Sequence, residues 1–432
     1  MATIALLTLL LLLAASPPAK SDIDLQQEAR DADFIDELPN QPETANFRQY
    51  SGYILVNQKV ERQSFYYFVE AEGHNPTSKP LILYIINHAP DRPGSSLLPA
   101  FEQVGPYTIS DDGQTLKSNP YSWNKFANVV FAEVIGLGFY LSNNPQDMYS
   151  TYDLRVMTEM YQFLVEWLAR FPAYKNADVY IAGQSYIGII GPLIGRYILL
   201  MNEKTQGSPH INIKGLLMGN PQLDEGILFY LRMEANYRMN IFSNEINEDY
   251  RKMCSYHNKN KTAYMLCLSP LSEAVKLEEA LDENNVYAKI CPVDPTTVES
   301  DTFISSVYNC VQQYVAGYLN IPLVQTFMHV REPTWGAAIW QPSGVLDPES
   351  FIPSAVFLRS MAYNISSSWR PWFDDGVQVA GYTETYADGK LQFATVRGAG
   401  RKAMADQPRR TFILAETFLA NGNLPGSKYV MS

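Results

Sequence analysis

Apolar and polar residues alternate through 47–56 and again through 64–70. A period of two turns one face of a strand to a core and the other outward, so these segments are predicted to pair as an antiparallel hairpin. The pattern then changes: 80–86 and 128–133 are continuous apolar runs closed by turn residues, as expected of strands covered on both faces. Between 152 and 170 the period is helical, with Val156, Met160, Phe163, Leu164, Trp167 and Leu168 on one side and Phe171-Pro172 as the stop. A short strand over 179–182 follows, then a helix that runs through Arg196 to Met201, then a further buried strand within 211–221.

From 221 to 329 the chain is polar and helix-prone and holds every cysteine, which reads as an insertion capping a sheet. Segments 335–347 and 391–400 predict further strands or strand ends, and 409–420 a closing amphipathic helix. No internal repeat is present. Alternating buried strands and helices predict an α/β fold with a mostly parallel central sheet and helices on both faces. The run Ala5 to Ala15, followed by small residues, is too short to span a bilayer and predicts a signal peptide over 1–19. The division that follows is a polar leader 20–43, a first core segment 44–220, the cap 221–329 and a second core segment 330–432. A secreted or lysosomal protein is expected, with no membrane segment once the signal is removed.

Composition narrows the partners. The chain has 432 residues, 46% of them hydrophobic, enough for a large core, and its net charge of -12 comes without the clustered Lys and Arg that a phosphate backbone requires. Nucleic acid is therefore excluded as a partner. Cys254, Cys267, Cys291 and Cys310 are the four cysteines, and two local disulfides are expected in an oxidising compartment, with three pairings open. They lack the spacing of a zinc site, and no metal or cofactor is expected. Sequons at Asn260 and Asn364 are usable glycosylation acceptors, whereas Asn75 is blocked by Pro76.

The chemistry gathers at Tyr180-Ile181-Ala182-Gly183-Gln184-Ser185-Tyr186-Ile187-Gly188, a strand that turns sharply into a helix. Its Gly183, Ser185 and Gly188 form a nucleophile elbow one residue longer than G-x-S-x-G, with Ser185 as nucleophile. Around it stand 47–53, Asn119-Pro120-Tyr121-Ser122-Trp123-Asn124, 214–220, Tyr318-Leu319-Asn320 and 393–400. Together, and in this order, these blocks resemble the serine carboxypeptidase family, close to its cathepsin A type. The resemblance implies an α/β-hydrolase fold with a cap. It also implies release of C-terminal residues from peptides through a serine acyl-enzyme, a peptide or protein C-terminus as ligand, and a relative's capacity to form a homodimer. It pairs Cys254 with Cys267 and Cys291 with Cys310.

By the same resemblance Asp347 takes the place of the family's catalytic carboxylate, and Arg401 stands where its histidine follows the Gly-Ala-Gly turn. Arginine is protonated at any ordinary pH and cannot act as a general base. The five histidines are His74, His88, His210, His257 and His329, so none follows Asp347 in the order Ser, Asp, His that this fold uses. The oxyanion loop also departs, with His88 and Ala89 in place of two glycines after Asn87. The family's substrate-carboxylate residues correspond to Asn87, Gln103 and Gln184, glutamines replacing two glutamates, and Tyr186 follows the serine at the oxyanion position. Two functions are weighed: a family member whose peptidase activity is lost or severely reduced and that acts by binding, or a working carboxypeptidase in which Ser185 uses a non-standard base such as His88. The segment 330–347 is shorter than the family's, which would also follow from a mis-predicted transcript. Arg401, if it occupies the histidine's place, is expected to pair with Asp347.

Overall fold

The computed structural model describes residues 21–42, 45–86, 95–136, 138–144, 147, 153–204, 210–223, 225–253, 281–282, 285–288, 310–331, 364–426 and 428. The signal peptide, Asn87, His88, Ala89, Cys254, Asn260, Cys267, Cys291, the predicted strand 335–347 and Asp347 with its expected Arg401 pairing lie outside these residues.

Among the described residues the central sheet has seven strands in the order β1 (Phe34–Ile35), β2 (Gln49–Asn57), β3 (Arg62–Val69), β7 (Asn128–Ala132), β4 (Leu81–Tyr84), β8 (Val179–Gln184) and β9 (Ile213–Gly219). The β2–β3 hairpin is antiparallel, as the alternation requires, and β7, β4, β8 and β9 run parallel to one another. Between β4 and β7 the small hairpin of β5 (Tyr107–Ile109) and β6 (Leu116–Ser118) stands apart.

The continuous apolar runs split residue by residue between two cores. Leu81, Leu83, Val130, Ala132, Val179 and Ile181 face one side. Ile82, Tyr84, Val129, Phe131, Tyr180 and Ala182 face the other. Such strands need cover on both faces, because a one-sided sheet would leave half of this apolar surface in water. The first face is covered by α3 (Asp153–Arg170), through Val156, Met160, Phe163 and Trp167, and by α4 (Ile187–Lys204), through Ile187, Ile190, Ile194 and Ile198. The second receives α2 (Leu97–Glu102), α7 (Cys310–Leu319), α9 (Ala403–Asp406) and α10 (Pro408–Leu419), with Val324 of α8 (Pro322–Phe327). This three-layered arrangement is the expected α/β-hydrolase architecture.

Several elements differ from the sequence reading. The polar leader carries a helix, α1 (Asp22–Ala32), closed at its start by a Ser21/Asp24 capping box. It then pairs β1 onto β2, and Asp33 receives the Tyr66 hydroxyl at 2.6 Å and the Arg170 guanidinium at 2.8 Å. Strand β9 is half-buried, because it ends the order of described strands. Strands β10 (Ile365–Phe373), β11 (Val379–Tyr386) and β12 (Leu391–Ala394) form a separate antiparallel sheet. Only the last was expected. Pro371 is tolerated in β10 because that strand is at the sheet's edge, where a missing N–H costs least. Helices α5 (Glu225–Arg238) and α6 (Asn244–Met253) form a satellite of the expected cap, packed through Met233, Phe242, Ile246 and Tyr250.

Candidate active site

The parallel half of the sheet positions the site. β8 carries the chain to Ser185, whose φ of 58° is the left-handed region that side chains rarely occupy and that costs on the order of 1–3 kcal/mol. Three backbone bonds hold it there: the Ser185 N–H donates to the Gly219 carbonyl at 2.9 Å, and the Ser185 carbonyl accepts from Gln222 at 2.8 Å and Gly188 at 3.1 Å. The flanking glycines are required by close approach. A Cβ on Gly183 would come within 2.2 Å of the Ile85 carbonyl oxygen, and one on Gly188 within 2.5 Å of the Gln222 carbonyl oxygen. The elbow therefore has its expected geometry, with the hydroxyl lifted where the sheet ends and α4 begins.

Arg401 reaches that hydroxyl. Its Nη2 donates to Ser185 Oγ at 3.0 Å, across 216 residues of chain. The turn that carries it is tied down from four directions. Gln184 Nε2 donates to the Arg401 carbonyl, and Asn220 Nδ2 donates to the Gly400 carbonyl at 3.3 Å. The Gly400 N–H donates to Asp406 at 2.7 Å, and Lys402 Nζ meets Glu102 Oε1 at 2.7 Å in an ion pair whose side chains are 10% and 2% exposed. The lysine offsets the desolvation of this buried carboxylate, which would otherwise be costly.

The remaining predicted residues divide. Gln184 is at the site, but its amide donor is engaged by the Arg401 carbonyl. Gln103 is buried and donates to Glu102 Oε2 at 3.3 Å, and among the described residues its own Oε1 has no donor. It thus joins the site through the Glu102–Lys402 pair. Tyr186 is 2% exposed and its hydroxyl donates to Asp153 Oδ1 at 2.7 Å, so its side chain anchors α3 to the elbow. The oxyanion loop is described at its base alone: the Ile86 N–H donates to Ser96 Oγ at 2.9 Å, while buried Glu133 receives the Ser96 N–H at 3.1 Å and the Ser95 hydroxyl. His74 and His210 are exposed, and His329 Nδ1 lies 3.1 Å from the Ser51 carbonyl oxygen. None of these three described histidines bonds the Ser185 hydroxyl. Cys310 is disulfide-bonded, with the pairing outside the described residues, and Asn364 is exposed at the head of β10.

Sequence reasoning found Ser185, Gln184 and Arg401. It missed Glu102 and Lys402, for which a lysine directly after the turn arginine was the one signal.

A guanidinium beside a serine hydroxyl can donate hydrogen bonds and stabilise negative charge. It cannot remove the serine's proton, which nucleophilic attack requires.

Comparison with known proteins agrees with this architecture. The family model for serine carboxypeptidases matches residues 39–342 and 348–421, and Asp347 falls in the interval between the two stretches. Serine carboxypeptidase-like 36 of Arabidopsis thaliana is 34% identical over 434 residues, covering 92% of this chain and 87% of its own length. Serine carboxypeptidase-like 26 of the same plant is 32% identical over 443 residues, with 92% and 94% covered. Among solved structures, that of Kex1(delta)p, a prohormone-processing carboxypeptidase from Saccharomyces cerevisiae, superposes with a TM-score of 0.71. It is 16% identical and covers 91% of this chain and 96% of that one.

Proposed function

Because this chain belongs to the serine carboxypeptidase family, we propose that it keeps the family's fold and elbow as a binding site and has lost, wholly or nearly, the release of C-terminal residues from peptides. The observation that carries the proposal is the contact of Arg401 Nη2 with Ser185 Oγ. Acyl transfer by serine needs a group that accepts the hydroxyl proton and later returns it to the leaving amine. A group that stays protonated does neither. Removing the base from such a triad costs on the order of a million-fold in turnover, about 8 kcal/mol of transition-state stabilisation.

The site's other members support the reading. Gln184, in place of a carboxylate, supports the turn that carries Arg401, and the Glu102–Lys402 pair anchors the residue that follows it. Such a construction holds a cation at the elbow as a built feature. The proposal extends to a protein of the secretory pathway, secreted or lysosomal, with a signal peptide at 1–19, cap disulfides 254–267 and 291–310, and glycans at Asn260 and Asn364.

The test is the release of C-terminal amino acids from N-blocked dipeptides and longer peptides by the purified protein and by Ser185→Ala. Equal, background rates are expected for both. Turnover that disappears in Ser185→Ala would overturn the proposal and favour a working enzyme with a non-standard base such as His88.

A further inference from the structure

We propose that the glycan on Asn364 lies along the outer face of the β10–β12 sheet and is held there by Trp369, Tyr382 and Phe393. This rests on the glycosylation proposed above and names the surface that receives the sugars.

The two faces of the sheet differ. On one, Trp372 and Ala394 pack with Leu424 and with Ile413 and Leu414 of α10, and Thr383, opposite Ala394, is buried. The other carries Trp369, Tyr382 and Phe393, one large ring from each strand, at 50%, 43% and 54% exposure. The Trp369 ring stacks on both neighbours, with its centroid 5.6 Å from that of Tyr382 and 5.9 Å from that of Phe393, and interplanar angles of 4° and 25°. Such cross-strand contacts help hold a small sheet, yet they leave about half of each ring open. A contiguous apolar patch of this kind marks a surface that something covers. A saccharide suits it, because a pyranose sets its C–H groups on the negatively polarised face of an aromatic ring and keeps its hydroxyls in water.

The tether is at the end of the same face. Alternation along β11 puts Glu384 and Tyr386 on the side of Tyr382, and Phe393 is directly opposite Glu384. The Tyr386 hydroxyl donates to Glu384, so a phenol and a carboxylate are there to exchange hydrogen bonds with sugar hydroxyls. Beyond Tyr386, the Ala387 N–H donates to the Asn364 carbonyl at 2.9 Å, which places the acceptor asparagine at this end of the sheet. Asn364 is exposed, and so is the apolar Ile365 beside it. Five strand residues separate Asn364 from Trp369, at most about 17 Å, which an N-linked core of several sugars spans. With the opposite face closed by α10 and Leu424, the aromatic face is the one on which the sugars can settle.

The experiment is hydroxyl-radical footprinting, read by peptide mass, of the intact protein secreted from a eukaryotic host. It is compared with the same protein freed of its N-glycans by peptide N-glycosidase in the folded state, and with Asn364→Gln. Oxidation of Trp369, Tyr382 and Phe393 should be at least about twofold lower in the glycosylated protein, since a sugar laid on a ring takes its open face from water. Buried Trp372, and Phe34 at 40% exposure on β1, serve as controls that should not change. Trp369→Ser should speed enzymatic release of the Asn364 glycan from the folded protein. Equal oxidation with and without the glycan overturns the inference. So does protection that persists in both glycan-free forms and rises with protein concentration, which would assign the face to a second copy. An Asn364 found unmodified in the peptide map would instead refute the glycosylation itself, so the two failures are distinguishable.

Discussion

Removing the Lys402 ammonium while leaving Glu102 in place tests how the turn bearing Arg401 is held. The two groups lie 2.7 Å apart with side chains 10% and 2% exposed, so Lys402→Ala strands a carboxylate out of water. Breaking a buried pair in this way costs about 3–5 kcal/mol, whereas replacing both members by neutral groups of similar volume is often close to neutral. Gln103 Nε2, 3.3 Å from the other Glu102 oxygen, remains as a weak substitute partner and puts the expected loss near the lower figure. A chain of 432 residues has an unfolding entropy of about 0.9 kcal/mol/K near 60 °C, so a loss of about 3 kcal/mol appears as a fall of about 3–4 °C in Tm. Calorimetric scans of Lys402→Ala, Glu102→Gln and the Glu102→Gln/Lys402→Met double variant should show the first clearly destabilised and the last within about 1 °C of the parent. Hydrogen exchange should quicken at 398–402 in Lys402→Ala, where the Gly400 N–H is held by Asp406. A loss below about 1 kcal/mol in the single variant, or a double variant as unstable as the single, would refute the claim that this pair fixes the turn.

Gly183→Ala should destabilise by several kcal/mol or prevent folding, because its methyl group meets the Ile85 carbonyl oxygen at 2.2 Å and neither strand end can retreat; a Tm within about 1 °C of the parent would contradict this. Burial holds the Tyr53 phenol up to about 12, and pushes Tyr66, Tyr67 and Tyr140 well above the ordinary value near 10. Their folded values exceed the unfolded ones, so the stability they contribute is intact below about pH 10 and is lost as pH rises through about 12 and beyond. Tyrosinate absorbance from this group should therefore appear together with loss of far-ultraviolet circular dichroism, and complete titration near pH 10 with unchanged dichroism would show that these phenols are solvated. Arg401→His should restore slow labelling of Ser185 by a fluorophosphonate, measured by intact mass; labelling no faster than in the parent would show that the missing base is not what silences the serine.

Much of this site was legible in one dimension because its components are local or countable. The elbow is written in contiguous residues, and Gly183 and Gly188 are there because neighbouring backbone leaves no room for a Cβ. That no histidine follows Asp347 was countable from the positions of the five histidines, and the structure puts Arg401 against Ser185. The paired strands, the runs buried on both faces and the helix over 153–170 were legible because burial imposes periods of 2 and 3.6.

What escaped was set by contacts between distant residues or by polar segments. Glu102 and Lys402 are 300 positions apart and read singly as surface charges. The leader looked like a solvated tail, because α1 buries none of its residues and its attachment depends on Asp33 meeting Tyr66 and Arg170. The β10–β11 hairpin was hidden by Ser366, Ser367 and Ser368 and by Pro371, residues that fit a strand only at an exposed edge.

The central claim, a positioned but unactivated serine, meets its most direct test in the parent protein treated with excess fluorophosphonate at neutral pH and read by intact mass and peptide mapping. The account predicts no adduct on Ser185 over hours. A stoichiometric adduct formed within minutes would mean that some group in the folded molecule takes the serine's proton, and would contradict it.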